Sequence, residues 1–118
     1  MYNQNIIWNN PISIILDKPQ IDQLISDLPN YATGNWKHIS NLNFEYAGDI
    51  KAKITIPYNE DSWRKGYLEF GNNSTVHAID KEYLSKAERE SVVKRFVSEV
   101  LEPYHKDHPK IKILYENF

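Results

Sequence analysis

Leu42, Phe44 and Tyr46 alternate with polar residues, and Ile50, Ala52, Ile54 and Ile56 alternate with Lys51, Lys53 and Thr55. Period-two alternation marks a strand with one face buried and the other in water. Both apolar sets stand on even numbers. Paired antiparallel, they share one face only if facing residues have the same parity, so the connection must contain an odd number of residues. We expect Tyr46 to face Ile50, Phe44 to face Ala52 and Leu42 to face Ile54, around a loop Ala47-Gly48-Asp49. A two-residue Gly48-Asp49 turn would put one apolar set in water.

The other elements read as follows. Ile12–Leu16 is a short apolar strand between Pro11 and Asp17. Asp17, Pro19 and Gln20 open a helix, and Ile21, Leu24, Ile25 and Leu28 form its apolar face. Pro29 stops it, because the residue before a proline is driven from α geometry. Tyr67–Phe70 and Thr75–Ile79 are strands around a Gly71-Asn72-Asn73-Ser74 turn. Ser85 and Glu88 are a capping box for a long helix. Its core face holds Ala87, Val93, Phe96, Val97, Val100, Leu101 and Tyr104, with Glu90, Lys94, Ser98 and Glu102 opposite. Glu90 and Lys94 are spaced for an ion pair, and Pro103 ends or kinks the helix at Glu102. Ile111, Ile113 and Tyr115 define a last strand, at an edge or partnered late.

The order is β-α-β-β-β-β-α-β. We expect a single α+β domain spanning 1–118, with a mostly antiparallel sheet built as a meander and two helices packed on one face. The length suits one core without covalent staples.

Composition removes whole classes of function. There is no Cys, hence no disulfide, thiolate nucleophile or Cys-based zinc site. Residues 1–59 carry five acids and four bases, and residues 60–118 carry eleven and ten, so each half is −1. Such mixing argues against a nucleic-acid partner, which calls for a basic patch. The N-terminus lacks a basic region followed by an apolar run, and Ile14-Ile15-Leu16 is far too short to span a bilayer. A soluble cytoplasmic protein with no membrane partner is expected.

No catalytic motif stands out. Gly-x-Ser-x-Gly is absent, and four scattered glycines allow neither a P-loop nor a dinucleotide fingerprint. No catalytic residue, metal ligand or cofactor is assigned. His105 and His108, with Asp107 between them, are the best metal candidates, but spacing supplies no third ligand. They carry the alternative reading, a small metal-dependent or hydrolytic enzyme. A subunit of a larger assembly, joined through a strand edge, is another alternative.

What remains is surface. Two stretches, 29–40 and 58–66, read as long loops, each with a Trp among polar residues. Trp, Tyr and Arg are enriched in binding hot spots. The expected partner-binding residues are Trp36, Lys37, His38, Tyr58, Glu60, Asp61, Trp63 and Arg64. The competing reading of each Trp is that it folds back onto its own core.

A compact Cys-free α+β chain, rich in Asn, Ile and Lys and without a catalytic motif, resembles the small immunity proteins of bacterial toxin systems, contact-dependent growth inhibition among them. That resemblance is one of type and carries over no residue. It implies an inhibitor that binds and neutralises a cognate toxin domain.

Overall fold

Strand formation follows the alternation, but the strands sort into two sheets. The computed structural model describes residues 12–56, 67–70 and 76–115. In one sheet β1 (Ile12–Ile15) lies between β5 (Tyr67–Phe70) and β7 (Lys112–Tyr115), antiparallel to both. The other holds β2 (Trp36–Ser40), β3 (Asn43–Ala47), β4 (Lys51–Thr55) and β6 (Val76–Ala78), in that order and all antiparallel. The class is α+β, and the expected succession is present with β2 added. The expected single meander is corrected: β5 leaves to pair with β1, and β6 returns to β4.

The residues from Pro29 to Ser40 are likewise not one loop. Leu28–Tyr31 form a 3₁₀ turn, so Pro29 ends the α-helix but not the winding of the chain. Gly34, at φ 65°, then turns the chain into β2. Asn41, at φ 48°, turns it back into β3, a conformation Asn tolerates better than most residues.

The β3–β4 parity is as expected, but the register is displaced by two. Tyr46 faces Ala52, Phe44 faces Ile54 and Ala47 faces Lys51, leaving Gly48-Asp49-Ile50 as the loop. Two side chains account for the shift. The Tyr46 ring lies over Gly48, where a Cβ would stand 2.6 Å from the Tyr46 hydroxyl. Arg95 grips Asp49 with both nitrogens, Nη2 to Oδ2 at 3.0 Å, and its Nη1 also donates to Tyr46 Oη at 3.1 Å. Ile50 turns partly into the core instead of pairing.

Both helices start as the sequence dictates. In α1 (Lys18–Asp27) the Gln20 N–H donates to Asp17 Oδ1 at 3.0 Å, and the Asp17 N–H donates to Gln20 Oε1 at 2.9 Å. In α2 (Lys86–Phe96) the same reciprocal pair joins Ser85 and Glu88, at 3.1 and 2.9 Å. Each cap satisfies two N–H groups that the helix cannot.

The long helix does not stop at Glu102. A π turn, Val97–Leu101, follows α2 and leads into α3 (Glu102–Asp107). Pro103 has no N–H to donate, and its ring would press on the Glu99 carbonyl in a regular helix. The extra residue of the π turn relieves both conflicts and places Pro103 in a new first turn, where proline fits. Ala87 is exposed, whereas Arg89 and Val92 are buried, a second departure from the expected stripe. Glu90 lies 3.9 Å from Lys86, the i,i+4 neighbour on its other side.

One apolar cluster joins both sheets and the helices. Phe96 is its hinge: its ring meets Phe44 and Trp36, each at 5.3 Å between centroids. The helical layer therefore covers one face of the β2-β3-β4-β6 sheet.

Candidate partner-binding face

That sheet has two unlike faces, as alternation requires. Trp36, Phe44, Tyr46, Ala52, Ile54 and Val76 point into the core. Lys37, Asn43, Glu45, Lys51, Lys53, Thr55 and His77 point the other way and are exposed or half-buried. The register sets Lys37, Glu45, Lys53 and His77 in a single row across all four strands. In the adjoining row Thr55 Oγ1 donates to Asn43 Oδ1 at 2.6 Å, with Ser40 opposite Asn43.

The face is positive on a negative chain. Lys37, Lys51 and Lys53 stand against Glu45, a net of +2, while the whole protein is −2. Among the described residues none of these four charges closes an ion pair, although Glu45 lies in register between two lysines. Pairs form elsewhere, between Arg95 and Asp49, Lys81 and Glu88, and Lys18 and Asp22. Arg95 beside Asp49 and Lys81 beside Glu88 hold both carboxyls below their ordinary range.

Each expected partner-binding residue can now be placed where the structure describes it. Lys37 is exposed on the open face. Trp36 is not a loop anchor, which corrects the sequence reading. It lies in β2, is only 4% exposed, and donates from Nε1 to Glu99 Oε1 at 2.9 Å, with the Tyr46 ring 4.9 Å away. Period two explains this, since Lys37 faces water and its neighbour must face in. His38 leans on Phe44, and its Nε2 lies 2.8 Å from the Asn41 carbonyl, so it holds the β2–β3 turn. Tyr58, Glu60, Asp61, Trp63 and Arg64 lie outside the described residues. The sequence reading missed Glu45, Lys51, Lys53 and His77 as one surface. Their polar alternation was visible, but their alignment is a matter of register.

His105 and His108 do not build a metal centre with a third group: no cluster of three His or acidic residues suited to a metal occurs among the described residues. His108 is tied to its own helix. Its Nδ1–H donates to the Tyr104 carbonyl at 2.9 Å, its ring stacks on Tyr104 at 4.2 Å, and its Nε2 stands 3.8 Å from Asp27. Burial pushes the Tyr104 phenol up to about 12, and the hydrogen bond to Asp107 raises that of Tyr31. Beside this group is an open depression of about 330 Å³, lined by Gln20, Gln23, Asp107, His108, Lys110 and Ile111 among others. No helix among the described residues is long and apolar enough to cross a membrane. Comparison with protein-family models, curated proteins and solved structures finds no match to this chain.

Proposed function

We propose that this chain is a protein-binding module, an immunity-type inhibitor that binds and neutralises a cognate toxin domain. The observation that carries the reading is the open face of the β2-β3-β4-β6 sheet: backed by the core and lined with four charges, Lys37, Glu45, Lys51 and Lys53, that close no ion pair among the described residues. Loop sites tolerate movement, whereas side chains on paired strands are held in fixed positions, which suits recognition of a preformed surface. The resemblance to immunity proteins supports the same reading and supplies the toxin as partner.

The test is protection. A candidate toxin domain, sought as a reading frame beside this gene, is expressed with wild-type protein or with Asn43→Trp, which sets a bulky ring on the open face away from the core. Wild type restores growth and Asn43→Trp does not, while circular dichroism shows both folded at the assay temperature; the variant melts somewhat lower, because it loses the hydrogen bonds of Asn43 to Thr55 and to the Ser40 carbonyl. Equal protection by the two proteins sinks the assignment of the face.

A further inference from the structure

Resting on that reading, we infer that the partner surface seated on this face presents two carboxylates flanking a cation, the complement of the row Lys37–Glu45–Lys53. Lys37 and Lys53 are one strand removed on either side of Glu45. Neighbouring strands are spaced about 4.8 Å apart, so the two ammonium groups spring from points about 10 Å apart, with a carboxylate between them. Glu45 and Lys53 are half-buried by their neighbours, which limits how far each side chain can swing.

Cross-strand alternation of charge stabilises a sheet when the charges meet. Here they are in register and yet make no ion pair among the described residues, so their binding capacity is left for an outside group. A nucleic acid is a poor fit. Its phosphates repeat with a single sign, and Glu45 stands in the middle of the row to repel them. A protein surface of mixed charge meets all three groups. An α-helix laid across the strands offers the spacing directly: residues i and i+7 rise about 10.5 Å apart, with i+4 between them on the same side. A stripe Glu(i)–Lys(i+4)–Glu(i+7) therefore matches lysine, glutamate and lysine in turn. Like charges placed opposite one another repel, which makes the order of signs selective.

The experiment uses two soluble helical peptides and a single-stranded oligothymidylate. One peptide carries Glu, Lys and Glu at i, i+4 and i+7; the other carries Lys, Glu and Lys at the same positions. Affinity is read by fluorescence anisotropy, and the site by amide shifts of ¹⁵N-labelled full-length protein. We expect the Glu-Lys-Glu peptide to bind at least about tenfold more tightly than its inverse and to move the amides of Lys37, Glu45 and Lys53. The triple variant K37E/E45K/K53E, folded by circular dichroism, reverses the preference. Equal affinity for the two peptides, absence of binding by both, shifts that map elsewhere, or stronger binding of the oligonucleotide to the face each overturns the inference. The protection assay separates the two levels. If Asn43→Trp abolishes protection and the triple reversal keeps it, the face stands and the charge pattern is wrong. If Asn43→Trp protects like wild type, the face itself is wrong.

Discussion

Arg89 is 5% exposed, and its Nη1 donates to the Leu84 carbonyl at 2.8 Å, while Nε and Nη2 are buried without an acceptor among the described residues. Burial lowers its pKa, the direction expected of a cation taken from water without a carboxylate partner. Replacing a buried ion by an apolar side chain of similar volume is often neutral or stabilising by about 1–4 kcal/mol. Arg89→Met should therefore raise the urea midpoint, whereas Arg89→Ala should lower it, because the aliphatic stem is lost with the charge. A fall with Met as large as with Ala would show that the guanidinium stabilises the fold. The Tyr104 hydroxyl is a second orphan of this kind. Tyr104→Phe should be neutral or stabilising by about 1 kcal/mol near neutral pH. At high pH the sign is clear: the folded phenol titrates near 12, above its unfolded value of about 10, so its contribution is complete below pH 10 and is lost as pH rises toward 12. Tyr104→Phe should flatten the alkaline arm of a stability profile. Trp36→Ala, by contrast, opens a cavity between Tyr46 and Phe96 and removes the hydrogen bond to the exposed Glu99, at a cost of about 3–5 kcal/mol. Chemical denaturation measures this directly, and an unchanged midpoint would contradict the burial of Trp36.

At the scale of elements, the β3–β4 tip and α2 are one unit joined through Arg95. Its guanidinium lies 5.2 Å from the Tyr46 ring centroid while both nitrogens hold Asp49. Asp49 has a lowered pKa, so its contribution is present above the ordinary carboxylate range near pH 4 and is lost as pH falls through the lowered value. Asp49→Asn should depress the melting temperature at pH 7 and by less at pH 2. A loss of equal size at both pH values would show that the contact acts through packing instead of charge. This tip also marks how far the sequence could be read. Even parity across 42–56 fixed which side chains face the core, because a shift of one residue reverses every one of them. A shift of two keeps parity, and the alternation alone does not choose between Tyr46 facing Ile50 and Tyr46 facing Ala52. In the structure the second register is held by the Tyr46 ring over Gly48 and by Arg95, forty-nine residues after Tyr46. The same holds for β2. Gly34 and Asn41 were visible turn residues, yet Trp36 and His38 show a strand pattern only once Phe44 and Phe96 are there to receive them.

For the molecule as a whole, the two sheets depend on partners that arrive from far along the chain. β1 is flanked by β5 and by β7, a strand added about one hundred residues later. Ending the chain at Pro109 would remove β7, strip one side of the β1 ladder and take Ile111 and Ile113 from the core. Loss of cooperative thermal unfolding by circular dichroism is the expected result, and a retained sharp transition would show that β7 is dispensable. The open face should behave in the opposite way: K37E/E45K/K53E touches no core residue and should shift stability by less than about 0.5 kcal/mol, within the usual range for surface changes. The sequence by itself determined the local features. The caps at Asp17 and Ser85 are bonds between residues three apart, and strand faces follow from the geometry of one strand at a time. Only the tertiary structure decided which strands pair, how Pro103 is carried inside a continuing helix, that Trp36 is core, and that Lys37, Glu45 and Lys53 share a row. Those outcomes depend on contacts between residues distant in sequence, whose energies are set by how the assembled layers pack.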